Sequence, residues 1–397
     1  MAILLHDAGV HRHLLPLTFT RPVGALRPGI LTIAEAWWRM TELPVGHRTE
    51  AYLRERWPEV GGEVVRDVRA GLLPLPELVS AVLDLEPGRM LVKEGRVLAI
   101  CRTGAQPPAE ADWNAPPTYL VPLPFGGEVV EITRPWHLFQ HCGRAIINDF
   151  ALLTEGRRSQ PLSGLNTVVG DPSLVFLEEG AVVEASILNT RGGPIHIGKG
   201  AEVMEGAMIR GPFALGAHAQ LKMGAKIYGP SSFGPECRVG GEVNNSVILG
   251  YSNKGHDGFL GNSVLGEWCN LGADTNTSNL KNTYGPVKVW SYADRAMADT
   301  GLQFCGLIMG DHGKSGINTM FNTGTVVGVA SNVFGGGFPP KHIPSFSWGG
   351  ADGLVEHALD KALHTAQRVM ERRSMPLDAA DRAVLAHVHA ATAGDRA

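Results

Sequence analysis

The sequence has few cysteines, little excess charge and no long apolar run, and each shortage removes a class of protein. Its five cysteines (Cys101, Cys142, Cys237, Cys269, Cys305) stand far apart with no C-x-x-C pair. Neither a disulfide framework nor a structural zinc site is expected, and the thiols read as small buried packing groups. The net charge is −4, with Lys and Arg scattered singly. No basic stripe is left for a phosphate backbone, so nucleic acid is not an expected partner. No run of about 18 apolar residues occurs, and the opening "MAILLHDAGVHRH" lacks a charged leader and an adequate apolar core. A cytoplasmic chain with no membrane span is the expectation.

What is present divides into three textures along 397 residues, enough for two or three domains. Residues 1–155 mix short apolar runs ("AILL", "MLVKEGRVLAI", "TYLVPL") with helix-like stretches such as "GILTIAEAWWRM", where Ile30, Ile33, Ala34 and Trp37 fall at helical spacing. That alternation reads as an α/β domain. "RPWHLFQHCGRAIINDFALL" reads as a linker helix starting near Pro135.

From about 160 to 345 glycine is dense and a period of six takes over. Ile197, Val203, Ile209, Leu215, Leu221, Ile227, Phe233 and Val239 follow one another at that interval, with Ala201, Ala207, Ala219, Ala225, Ser231 and Cys237 two places before most of them. The phase resets and resumes as Val247, Asn253, Phe259, Leu265 and Leu271, then as Met309, Ser315, Phe321, Val327 and Val333. Hexapeptide repeats of this kind build a left-handed parallel β-helix with the sixth residue stacked inward and the small residue easing the corner. The architecture is usually trimeric, so a homotrimer is expected by analogy. The resets suggest an outward loop at "GYSNKGHDGF", carrying Lys254 and His256 between glycines. Residues 352–397 form a C-terminal helical segment. Leu354, Val355, Ala358, Leu359, Ala362, Leu363, Ala366, Val369 and Met370 are expected on one helix face, and the alanine-rich last 24 residues are expected to fray.

The stretch "GHDGFLGNSVLGEWCNLGADTNTSN" resembles, without gaps, the acetyltransferase signature of the bifunctional N-acetylglucosamine-1-phosphate uridylyltransferase/glucosamine-1-phosphate N-acetyltransferase family. "GDHGKSGINTMFNTGTVVG" resembles a further segment of its archaeal-type members. The resemblance implies an acyl-CoA-dependent N-acyltransferase using acetyl-CoA or another acyl-CoA on an amino sugar phosphate or sugar nucleotide. It places His256 on the general base and Asn270 and Ala273 beside the acetyl donor. Phe259 and Asn279 fall on positions near the sugar, and Glu242 keeps a family carboxylate. The family's tyrosine at 259 is phenylalanine here, its tyrosine after Asn279 is Leu280, and a phosphate-contacting lysine is Asn244. Lys254, Lys281 or Lys288 would have to compensate, and the acceptor pocket is remodelled. His312 and Lys314 form a rival pair, although an exposed turn is the plainer role for them. No metal site is expected.

The same family carries a nucleotidyltransferase domain, and "ILLHDAGVHRHLLPLTFTRPVGALRPGILTI" recovers part of its opening: Arg12, then Leu15-Pro16-Leu17-Thr18, then Arg21-Pro22. The glycine-rich turn that wraps phosphates is missing. Arg12 and Arg21 are candidate nucleotide- or phosphate-binding residues, and Mg2+ would be needed only if this degenerate domain is active. The opening is similar to that of a bacterial branch of sugar-nucleotidyltransferase-like proteins. Two alternatives stay open beside acyl transfer: sugar-1-phosphate nucleotidyl transfer in residues 1–155, and a non-catalytic assembly or sensing role.

Overall fold

"AILLH" forms the interior strand β1 (Ala2–His6), its apolar side chains fully buried. The computed structural model describes residues 1–106, 113–114 and 118–396. Around β1 lie β2 (Val45–Arg48), β3 (Val64–Arg69), β4 (Arg89–Lys93), β5 (Arg96–Thr103) and β6 (Val121–Pro124), in the order β2-β1-β3-β5-β4-β6. β1 runs parallel to β2 and β3, while β5 runs antiparallel to β3 and β4. Helix α1 (Ile33–Thr41) starts with a capping box: the Thr32 hydroxyl accepts from the Glu35 N–H, and the Glu35 carboxylate accepts from the Thr32 N–H. Its buried face is Ile33, Ala36 and Trp37, with the Trp37 indole donating to the Leu72 carbonyl at 3.0 Å. Ile30 lies before the helix. A second helix, α2 (Pro76–Leu83), completes this unit, which comprises Met1–Leu14, Arg21–Leu26 and Leu31–Arg134.

The second unit comprises Leu15–Thr20, Arg27–Ile30 and Pro135–Ala397. It opens with α3 (His137–Thr154), the expected linker helix, and continues as a left-handed parallel β-helix whose three faces are sheets of six, nine and ten strands. The period of six holds where it is regular. The eight residues from Ile197 to Val239 are all buried in one apolar core, and the small residues two places before them are fully enclosed at the corners. Each large side chain so buried contributes roughly 1.5–3 kcal/mol, which is why such short strands persist.

After Val239 the coil shortens. Leu215 pairs with Phe233, eighteen residues on, but Phe233 pairs with Ile248, only fifteen on. Val239 likewise pairs with Lys254. The inward residues are therefore Val243, Ile248, Lys254, Leu260, Leu265 and Leu271, and the phase expected at Val247, Asn253 and Phe259 is displaced by one residue. "GYSNKGHDGF" is not an outward loop: shortening the coil draws it in as strand, corner and strand. The extension comes later, between Leu271 and Ser315, which pair across successive coils. It carries an antiparallel hairpin of Lys288–Ser291 with Ala296–Asp299.

The C-terminal end also differs from expectation. Leu354 and Val355 belong to a strand, Gly353–Glu356, that folds back on Ser347–Gly350. Glycines at 349, 350 and 353 favour this turn over the first helical turn. Helix α4 (Leu359–Glu371) follows and buries Ala362, Ala366 and Met370. The expected fraying gives way to a second helix over the described tail: Asp378 caps α5 (Ala379–Ala391) by accepting from the Asp381 N–H at 2.8 Å, and Val384, Leu385 and Val388 are buried. All five cysteines are free and buried. No helix among the described residues is long and apolar enough to cross a membrane.

Candidate functional site

The first unit has a cleft of about 440 Å³ at the carboxyl ends of β1 and β2, lined by His6, Asp7, Gly9, Arg12, Arg48 and Arg54 among others. Such strand ends are where open α/β sheets take ligands. The turn after β1 uses its own amides: Ala8 N–H donates to His6 Nδ1, Val10 N–H to the Asp7 carbonyl, and His13 N–H to the Val10 carbonyl. Three amides of the turn are thus engaged within it, and positive charge comes from Arg12, Arg48 and Arg54, offset by Glu50 in the lining and by Glu59, which pairs with Arg48 at 3.0 Å. Burial, reinforced by Arg48 and Arg69, pushes His6 down to about 4, so its ring is neutral at pH 7. Asp7 accepts from the Thr49 hydroxyl at 2.6 Å and from the Val23 N–H at 3.1 Å. Burial outweighs those bonds and pushes its carboxyl up to about 7. For a divalent cation the lining is a poor donor set: the Asp7 oxygens are already engaged, and the one other carboxylate, Glu50, stands among three guanidiniums. Arg21 is buried and is not among the lining residues, and Leu15–Thr20 belongs to the second unit, where the Thr20 hydroxyl donates to Asp311 at 2.7 Å. Of the residues singled out in the opening motif, Arg12 reaches the cleft. His6, Asp7, Arg48 and Arg54 were missed. Their signal is positional, lying at the ends of two short apolar strands.

In the second unit, His256 sits on a corner between Asn253–Lys254 and Phe259–Gly261. The corner is tight: a Cβ on Gly258, at φ +115, would meet the Thr275 carbonyl oxygen at 2.3 Å. The imidazole is exposed. Asn276 Oδ1 accepts from the Phe259 N–H at 2.9 Å, and the Asn279 amide donates to Asn262 Oδ1 at 2.9 Å. Amides of one coil thereby hold the strand that follows His256. Asn270 is exposed and accepts from the Asn253 amide at 3.4 Å. The Ala273 carbonyl accepts from the Asn318 N–H, while the neighbouring Gly272 N–H donates to the Ser315 carbonyl. Glu242 pairs loosely with Lys226 at 3.7 Å. The Lys281 ammonium is bonded to the Pro286 carbonyl.

Two expectations fail on burial. Lys254 cannot touch a substrate, being 2% exposed with its side chain in the inner column and its ammonium donating to the His256 carbonyl at 2.8 Å. His312 is not on an exposed turn: it is buried, parallel to Trp268 at 6.3 Å between ring centres, and its carbonyl accepts from Lys314 Nζ at 2.9 Å.

An α/β unit with an arginine-lined cleft, followed by a hexapeptide β-helix, is the class that fold and sites define. Residues 3–158 match the family described as sugar nucleotidyl transferase. The chain is 38% identical over 87 residues to the bifunctional protein GlmU of Methanocaldococcus jannaschii, covering 22% of this chain and 21% of that one. It is 33% identical over 95 residues to the bifunctional sugar-1-phosphate nucleotidylyltransferase/acetyltransferase of Sulfurisphaera tokodaii, covering 24% and 23%. The crystal structure of the polySia specific acetyltransferase NeuO aligns at 12% identity with a TM-score of 0.29, over 53% of this chain and 93% of that one. The chain is thus similar to GlmU-like bifunctional proteins, over about a fifth of the length of these curated relatives.

Proposed function

We propose that the β-helix unit is an acyl-CoA-dependent N-acyltransferase acting on an amino sugar phosphate or sugar nucleotide, with His256 as general base. The observation that carries this reading is the exposed imidazole on a tight glycine-flanked corner, with amides of the next coil fixing the strand beside it. Acyl transfer needs a neutral amine to attack a thioester carbonyl. The C–N bond forms, the C–S bond breaks, His256 takes the amine proton, and the leaving thiolate is protonated to give CoA. The Gly272 N–H is already engaged, so the donor to the developing oxyanion is the Ala273 N–H, with Asn270 on the same run beside the acyl donor. Phe259, Asn279 and Glu242 frame the sugar, and Lys281 reaches its anionic group once released from Pro286. Ile187 and Met208 are exposed neighbours on the six-stranded sheet, in a column that continues through Lys226 and Glu242; the homotrimer, whose grooves would enclose the His256 corner, is proposed by analogy with the architecture.

The experiment is CoA release from acetyl-CoA against a panel of amino sugars and their phosphates, in wild type and His256→Ala. Equal rates in both remove His256 from the chemistry.

The arginine cleft favours a second activity for residues 1–155: recognition of a sugar phosphate or nucleotide by Arg12, Arg48 and Arg54. Nucleotidyl transfer there requires pyrophosphate release from a nucleoside triphosphate and a sugar 1-phosphate. Binding without release would leave the unit a recognition module.

A further inference from the structure

The inner column on the ten-stranded face runs Val203, Leu221, Val239, Lys254, Leu271, Ser315 and Val333. A lysine in that column is costly, since a buried ammonium gives up its hydration, and the sequence makes room for it. A Cβ on Gly241 would lie 2.8 Å from the Lys254 nitrogen and 2.9 Å from the Asp257 Cα. The ammonium does not reach the outer surface; it turns back along its own corner to the His256 carbonyl at 2.8 Å. We propose that Lys254 is a positioning residue, whose buried ammonium ties down the main chain of the His256 corner and thereby sets the direction of the imidazole. The proposal rests on His256 being the base.

The electrostatics agree with the geometry. Burial pulls Lys254 down to about 8, opposed by Asp257 on the same corner and by Asp274 on the corner of the next coil. Its column neighbours Val239 and Leu271 carry no charge. The Asp274 N–H donates to the Asp257 carbonyl at 3.1 Å and the Glu242 N–H to the Gly258 carbonyl at 3.3 Å, so these two amides report on the corner. Above pH 8 the lysine loses its proton and the charge-assisted bond to the His256 carbonyl weakens.

The test is hydrogen exchange of the Glu242 and Asp274 amides on the full chain from pH 6.5 to 9.5, each rate divided by its intrinsic rate. The wild type is expected to lose about fivefold protection across pH 8. Lys254→Arg should keep protection throughout, and Lys254→Met should show low protection with no step. A flat wild-type profile, or a Lys254→Met profile that retains the step, overturns the proposal. If Lys254→Met does not fold, the wild type and Lys254→Arg still decide. Exchange is read without turnover, so an inactive protein with the expected step would sink the acyltransferase reading and leave the tether standing. Where turnover is measurable, Lys254→Met should lower kcat about tenfold with KM unchanged, and Lys254→Arg should restore it.

Discussion

The coils up to Val239 and those from Val243 to Leu271 share one three-strand plan and put it to different uses. In the first set the inner residues are apolar, the spacing settles at eighteen from Ile195 on, and the corners carry alanine. In the second the coil loses up to three residues, a lysine enters the inner column, and a corner closes around glycine. Regular coils supply a wall; shortened coils place side chains against it. The lesson is that deletion, as much as insertion, marks where a repeat protein departs from scaffolding.

The contrast can be broken from either side. The largest effect is expected at the irregular coil: His256→Ala should lower acyl transfer by about 10²- to 10⁴-fold, as loss of a general base does, with no change in melting temperature because the ring is exposed. A fall in melting temperature of several degrees would make His256 structural. At the regular coil the signs reverse. Phe233→Ala should cost about 3–5 kcal/mol in chemical denaturation, since Phe233 is fully buried among Leu215, Phe213 and Ile248. Activity measured well below the new midpoint should survive. A Phe233→Ala protein as stable as the wild type would mean the core can collapse around the gap.

The fold was largely legible because its signal is local. A residue repeated at six and a small partner two places before it need no tertiary information, and both were found buried where the spacing put them. The phase after Val239 was not legible: one run shortened by three residues still leaves Val247 and Phe259 in an apolar series, and the register with the previous coil is what assigns Lys254 inward. Lys254 and His312 were misjudged for one reason. A charged or polar letter between glycines suggests exposure, whereas a β-helix buries whatever letter falls at its inward position or beneath a covered corner. In the first unit the motif search found Arg12, yet Arg48 joins it through the pairing of His6 with Arg48 across β1 and β2, a relation between residues more than forty apart.

That pairing gives the next prediction. Arg12→Ala and Arg48→Ala should each weaken binding of a nucleoside diphosphate or sugar phosphate about tenfold or more, the loss of one charge-assisted contact worth roughly 1.5–3 kcal/mol, by calorimetry. His256→Ala should bind as the wild type does. Loss of affinity in His256→Ala alone would transfer the anion site from the arginine cleft to the β-helix.

The smallest effect is a pH dependence within the first unit. Asp7 is held at about 7 when folded, against an ordinary value of 3.8, so the folded state binds the proton more tightly. Its contribution to stability is full below pH 3.8 and is lost as pH rises through 7. His6 and His47, both pushed to about 4 from 6.5 by burial, act oppositely: their contribution is present above pH 6.5 and lost as pH falls toward 4. Burial also raises Asp67 in the same unit, so two histidines oppose two aspartates and the readable quantity is the difference between a variant and the wild type. Asp7→Asn removes the titration, its Oδ1 still accepting from the Val23 N–H while its Nδ2 donates to the Thr49 hydroxyl, which reverses that bond. The variant should gain on the wild type between pH 4 and 8 by on the order of 1–2 kcal/mol, less than full desolvation would give because relaxation and water entry recover part of that cost. Parallel urea midpoints for the two proteins across this range would show that Asp7 is ionised in the fold throughout, and the arginines of the cleft would then face a full carboxylate charge well below pH 7.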